Sequence, residues 1–206
     1  MSVITKVVLA SANPGKIREI AALFHDFGIA VVPQSDFDIG SPAETGVTFV
    51  DNALLKAHHA ARCSRLPAMA DDSGIAVDAL GGRPGVYSAR FAGFAATDEQ
   101  NVDKLLDELI DVADVDRGAS FHCAAVLVFP DADHEPLVAE AIWRGTILRQ
   151  RHGAGGFGYD PVFYDVAAGK TGAQMRREEK NAVSHRGKAF RKLKVLLQNE
   201  SSKSSV

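Results

Sequence analysis

The sequence places a lysine where a helix least favours one. Asn13 has the form of a helix N-cap and Pro14 that of a first helical residue, so Lys16 of Ser11-Ala12-Asn13-Pro14-Gly15-Lys16 falls in the first turn. A cation there opposes the positive end of the helix dipole, and a bound anion would remove the conflict. Strand-to-helix junctions also present backbone N–H groups that hold anions, and Gly15 lets a ligand approach the main chain closely. A plain capped helix with a solvated lysine is the competing reading. The Gly-x-x-x-x-Gly-Lys-Ser/Thr pattern of the P-loop does not occur.

Carboxylates give a second signal. Asp71 and Asp72 follow an apolar run and precede Ser73-Gly74, and Glu44 lies upstream. Packing explains two adjacent carboxylates at a strand end poorly. Magnesium takes oxygen ligands, usually one or two carboxylates with substrate phosphate and water. Asp72 and Glu44 are the candidate ligands. Asp-Asp-Ser-Gly is equally good turn chemistry. Asn52 and Lys56 share a helix face by their i, i+4 spacing, and that face can meet the same phosphates or solvent. His58 and His59, further along, read as surface residues.

Two further segments suit a flat ring. In Gly153-Ala154-Gly155-Gly156-Phe157-Gly158-Tyr159-Asp160-Pro161 aromatics interleave with glycines, unlike a flexible linker. A purine stacks well on an aromatic face, although the same aromatics could plug the core. Lys180 and Ser184-His185-Arg186-Gly187-Lys188 put several cations at another helix start. Arginine and histidine can donate to a purine carbonyl, and a basic surface turn is the alternative. Together these segments suit one ligand with phosphates, a metal and a flat ring.

The elements that must position them are legible in outline. Lys6 to Ala10 is a short buried strand, and Ile17, Ile20, Ala21, Phe24 and Phe27 follow at helical spacing up to Gly28. Ile29 to Val32 is a second strand. Thr48 and Asp51 open a helix that runs to about Arg65. Ala68 to Ala70 and Ile75 to Val77 read as separate short strands, and Gly81-Gly82-Arg83-Pro84-Gly85 as a tight turn. Thr97 with Gln100 caps another helix. Phe121 to Phe129 and Leu137 to Leu148 form two strands joined near Asp131-Ala132-Asp133-His134, and Ser184 caps a final helix. The alternation predicts an α/β fold with a mixed sheet.

Composition narrows the function classes. The chain has 206 residues with 46% apolar and 24% charged, enough for one domain with a real core. We read residues 1–200 as that domain and 201–206 as a frayed tail. A formal net charge of −3 argues against non-specific nucleic-acid binding. No apolar run approaches the roughly 20 residues that span a bilayer. Two cysteines, Cys63 and Cys123, are too few for a disulfide framework, which predicts a reducing, cytoplasmic location.

The quoted segments, with Glu-Thr-Gly-Val-Thr-Phe at 44–49, Asp-Asn-Ala-Leu-Leu-Lys-Ala at 51–57 and Gly-Gly-Arg-Pro-Gly-Val-Tyr-Ser-Ala-Arg at 81–90, resemble the inosine triphosphate pyrophosphatases, which clear deaminated purine nucleotides. The resemblance runs from Val7 to about Leu197. Position 11 is serine where the family also uses threonine, so a hydroxyl is kept. It implies a homodimer of elongated, two-lobed α/β subunits, each a central mixed β-sheet flanked by helices with an active-site cleft between lobes. It implies hydrolysis of ITP, dITP and XTP between the α and β phosphates, giving a monophosphate and pyrophosphate. Ser11, Ala12, Asn13, Pro14, Gly15 and Lys16 would hold phosphates. Glu44 and Asp72 would hold Mg²⁺, with Asp72 also the proton acceptor and Asp71 sharing either task. Lys56, Ser73, Phe157, Gly158, Tyr159, Asp160, Lys180, His185 and Arg186 would bind substrate. His185 and Arg186 are the expected donors to the C6 carbonyl of the base.

Overall fold

The computed structural model describes residues 4–131 and 134–203. Ala132 and Asp133 of the expected turn, and 204–206 of the expected tail, lie outside the described residues. The elements are β1 (Lys6–Leu9), α1 (Pro14–Phe24), β2 (Ala30–Pro33), α2 (Phe49–Ser64), β3 (Ala68–Val77), α3 (Asp98–Glu108), β4 (Gly118–Val128), β5 (Leu137–Ile147), β6 (Phe163–Asp165), β7 (Lys170–Thr171), α4 (Arg177–Val183) and α5 (His185–Lys203). They form a mixed α/β fold around one seven-stranded sheet of order β2-β1-β3-β4-β5-β6-β7. β1 pairs in parallel with β2 and β3, whereas β6 pairs antiparallel with β5 and β7.

Local chemistry starts and stops the helices as the sequence predicts. The Asn13 side chain accepts from the N–H groups of Gly15 and Lys16, and Pro14 is the first residue of α1. Thr48 and Asp51 form a reciprocal capping box at α2, as do Thr97 and Gln100 at α3. Such caps contribute about 1 kcal/mol each. Gly28 takes φ 68° to close the short 3₁₀ turn after α1, a conformation that favours glycine. Ser184 is the C-cap residue of α4 and directly precedes α5. The backbone of α5 continues through Lys203, into the first half of the expected tail.

One expectation is corrected. Ala68 to Ala70 and Ile75 to Val77 are not two strands with a turn between them. They are the ends of one ten-residue strand, β3, and Asp71-Asp72-Ser73-Gly74 lies inside it. Turn-forming residues stay extended here because tertiary contacts satisfy them.

The chain divides into two compact units. The first comprises residues 1–72, 123–141 and 186–206; the second comprises 73–122 and 142–185. In the first unit, strand alternation sends successive side chains of β1 to opposite faces. Val7 and Leu9 join Ile20 and Phe24 of α1 and Phe190, Leu193 and Leu197 of α5. Val8 and Ala10 join Ala53, Ala57, Ala60 and Ala61 of α2. The alanine stripe of α2 lets that helix approach the sheet closely. The second unit packs Val102, Leu105 and Leu109 of α3 with Ile75, Val77, Phe121, Trp143, Ile147 and Phe163.

Candidate active site

The same alternation separates the two aspartates. Met69 belongs to the β3 face covered by α1 and α5, and Ala68 and Ala70 to the face covered by α2. Asp71 follows Met69 and Asp72 follows Ala70 by two residues, so the neighbours in sequence face opposite ways. Each meets cations from the helices on its own side.

On the first face, Asp71 Oδ2 lies 3.0 Å from Lys16 Nζ and 3.2 Å from Arg186 Nε. Arg186 Nη1 donates to Glu19 Oε2 at 2.8 Å. Lys16 comes from the first turn of α1, Glu19 from its next turn and Arg186 from the first turn of α5. Burial alone would raise the Asp71 carboxyl; Lys16 and Arg186 outweigh it and hold the group well below the usual carboxylate range. Burial would likewise lower Arg186, but Asp71 and Glu19 raise it.

On the second face, Lys56 Nζ donates to Glu44 Oε1 at 2.8 Å and to Asp72 Oδ1 at 2.9 Å. The other Asp72 oxygen accepts from Asn52 Nδ2 at 3.3 Å. Lys56 and Asn52 lie one turn apart on the buried face of α2. Burial raises the Asp72 carboxyl above its ordinary value despite Lys56, and Glu44 adds to the rise. Lys56 is also raised: burial opposes this, but the charges of Asp72, Asp71 and Glu44 outweigh it. The two directions are compatible, because Asp72 has a carboxylate neighbour as well as a cation. Lys16 also acts on Asp72 and Lys56 on Asp71, so the two faces share one electrostatic centre.

The donor set fits a hard divalent cation. Glu44 and Asp72 already gather their oxygens around a single positive charge, as two carboxylate ligands of magnesium must. Among the described residues no group of three or more His, Cys, Asp or Glu is arranged to hold a metal. Two carboxylates suit an ion that completes its shell with phosphate and water, as magnesium does.

In the second unit, Lys180 Nζ donates to Asp160 Oδ2 at 2.6 Å and stands 4.6 Å from the centroid of the Phe157 ring. The same Asp160 oxygen accepts from the Phe157 N–H at 2.9 Å. Gly158 N–H donates to Asp98 Oδ2 at 2.7 Å. Gly156 has φ 73°, and a Cβ there would collide with the Asp160 carboxylate, so the loop needs glycine at that position. His185 stacks on Phe121 with centroids 4.6 Å apart at 6°, and on Trp143 at 6.2 Å and 15°. The Trp143 indole N–H donates to Asp165 Oδ2 at 2.7 Å.

Three of the expected site residues have partners within the chain. The anion that meets Lys16 is the chain's own Asp71, and Asn13 caps the Gly15 and Lys16 N–H groups. Tyr159 plugs the second unit's core, its hydroxyl donating to the Ser88 carbonyl at 2.8 Å. Arg186 donates from Nε to Asp71 and from Nη1 to Glu19. Ser73 directly follows Asp72 in β3, as the first residue of the second unit.

Comparison with known proteins gives these contacts a context. The sequence profile of the Ham1 family matches residues 7–196. The chain belongs to the Ham1 family. Its similarity to other members covers almost the whole length. The dITP/XTP pyrophosphatase of Pectobacterium atrosepticum is 55% identical over 194 residues, 94% of this chain and 98% of that one. The dITP/XTP pyrophosphatase of Escherichia coli K12 is 53% identical over the same shares. Among solved structures, a HAM1 protein from Coxiella burnetii has a TM-score of 0.86 at 44% identity, over 95% of this chain and 100% of that one. The Ham1 protein of Staphylococcus aureus has a TM-score of 0.83 at 40% identity, covering 95% and 99%.

Several residues of this Ham1 member's candidate site were not singled out from sequence. Glu19 is a carboxylate on the buried stripe of α1 beside Ile20, and a charge at such a position is the signal that could have found it. Phe121, Trp143 and Asp165 carry no local signal. They read as ordinary strand residues until His185 is seen stacked on Phe121 and Trp143, with Asp165 accepting from the Trp143 indole.

Proposed function

We propose that the chain is a nucleoside triphosphate pyrophosphatase that converts dITP, ITP and XTP to the monophosphate and pyrophosphate, keeping deaminated purines out of DNA and RNA. The observation that carries the reading is the pairing of Glu44 and Asp72 around one cation, with Lys16 of the 11–16 segment bonded to the adjacent Asp71. Two relatives more than half identical over nearly the whole chain are named dITP/XTP pyrophosphatases. The sheet order supports the place. β1 lies between β2 and β3, so the chain reverses its winding there, and ligands of α/β sheets bind outside the carboxyl end of strands at such a point. Ser11 to Lys16 extends from that end of β1.

Glu44 and Asp72 would hold Mg²⁺, which would neutralise phosphate oxygens and acidify a water. Ionised Asp72 would orient a water and accept its proton. Lys16, Lys56 and the N-terminus of α1 offset the triphosphate charge, the main demand of phosphoryl chemistry. Phe157 offers a ring face for the base, with Gly158, Asp160 and Lys180 fixing its loop. His185 donates to the C6 carbonyl that inosine and xanthine carry and adenine lacks. A hydrogen-bonding site of this kind discriminates by about 10⁴-fold. The reading also includes a homodimer, which the motif resemblance supports, and a cytoplasmic location, which the low cysteine count supports. No helix among the described residues is long and apolar enough to cross a membrane.

The test is product identification with ITP, dITP, XTP, ATP and GTP, with and without Mg²⁺. Pyrophosphate and monophosphate from the deaminated substrates, dependent on the metal, are expected. Release of inorganic phosphate instead, or equal rates on ATP and ITP, would reject the bond or the selectivity respectively. Tight ITP binding without product would make the chain a sensor.

A further inference from the structure

Asn52 joins the two segments that carry the proposed metal ligands. It is 0% exposed in α2. Its Nδ2 donates to Asp72 Oδ2 at 3.3 Å, and its Oδ1 accepts from the Gly46 N–H at 2.8 Å. Gly46 stands two residues beyond Glu44. One buried amide therefore ties the Glu44 loop to the strand that carries Asp72. The fit at the loop end is close: a Cβ on Gly46 would lie 2.7 Å from Asn52 Oδ1, 2.6 Å from Asp51 Cβ and 2.9 Å from Asn52 N. Lys56 also bridges Glu44 and Asp72, but it is a point charge on a long, flexible stem. Asn52 is short and neutral, with its donor and acceptor both engaged. A satisfied buried polar group of this kind holds its neighbours in one arrangement.

The geometry points to Asn52 as a positioning residue that sets the separation of Glu44 and Asp72 for a divalent cation, with Gly46 as its seat on the Glu44 side. The inference rests on the metal assignment proposed above. Groups that orient metal ligands typically change metal affinity by about 10–100-fold when removed.

The experiment is a Mn²⁺ titration of the nucleotide-free, full-length chain, counting free metal by electron paramagnetic resonance. Wild type, Asn52→Ala, Gly46→Ala and the double variant are compared, with circular dichroism melts to establish folding. Each single change is expected to weaken Mn²⁺ binding about ten-fold or more. The double variant should be no worse than the weaker single, because both changes cut one link. A folded Asn52→Ala with unchanged Mn²⁺ affinity overturns the positioning role, even if it melts earlier, since a purely structural residue would show that pattern. Additive losses overturn the shared link. Glu44→Gln and Asp72→Asn separate the two levels of argument. If neither weakens Mn²⁺ binding, the metal assignment falls and this inference with it; if both do while Asn52→Ala does not, only the positioning role falls. Should Asn52→Ala not fold, Gly46→Ala decides alone, unchanged affinity counting against the proposal.

Discussion

Asp71 and Asp72 are adjacent in β3 and serve opposite faces of the sheet, the first locked by Lys16 and Arg186, the second held by Lys56 and Asn52. The pair therefore divides its labour, and replacing each should do different damage. Asp72→Asn is expected to lower kcat on ITP by at least about 10²-fold, the scale of a lost general base, while ITP still binds. Asp71→Asn is expected to act mainly on stability, by about 3 kcal/mol, because it leaves buried cations under-compensated. Single-turnover rates with equilibrium binding, beside urea unfolding, check both. An Asp72→Asn enzyme with near-normal kcat would remove Asp72 from the chemistry.

Arg186 pairs with both Asp71 and Glu19. Arg186→Met should destabilise the chain by about 3–5 kcal/mol, since Asp71 and Glu19 lose a buried partner. Its effect on ITP and ATP turnover should be equal. A selective loss on ITP would return Arg186 to base recognition.

His185 is the residue expected to control selectivity. Its ring is held parallel to Phe121, and such aromatic pairs are worth about 0.5–1.5 kcal/mol beyond burial. His185→Ala should cut the ITP-to-ATP ratio of kcat/KM by about 10²-fold or more, part of the discrimination a hydrogen-bonded site supports. Phe121→Leu should produce a smaller loss of the same ratio. An unchanged ratio in His185→Ala excludes it from reading the base.

Lys16 pairs with Asp71 in the free chain, and its side chain keeps 16% exposure. A triphosphate competing for it should be felt on both sides. Lys16→Ala is expected to weaken ITP binding about ten-fold, the loss of one charge-assisted contact. Calorimetry with the non-turning Asp72→Asn background measures it, and retained affinity argues against a phosphate role.

Acid should erode stability through Asp71. Its folded carboxyl lies below the ordinary value of about 3.9 expected in the unfolded chain, so the unfolded chain takes up the proton first as pH falls. The contribution is complete above about pH 5 and is lost as the pH drops through 4 toward the folded value. The gap between the urea midpoints of wild type and Asp71→Asn should accordingly narrow progressively as the pH is lowered from about 5 to about 2. A constant gap across that range would contradict the assignment.

The sequence by itself determined the helix boundaries at Asn13-Pro14, Thr48 and Thr97, because capping is chemistry within four residues. It also determined the α/β class through periodicity, and the family through short motifs spread along the chain. Lys16 and Asp72 stood out because their charge sits badly with its local setting, and Lys56 because it shares a helix face with Asn52. Only the tertiary structure decided that Asp-Asp-Ser-Gly stays extended, that Arg186 neutralises Asp71, and that Tyr159 faces the core. Those outcomes depend on partners far away in sequence, 115 residues for Arg186 and Asp71 and 71 for Tyr159 and Ser88. A local pattern reports what a residue can do. Burial and long-range pairing select which of those things it does.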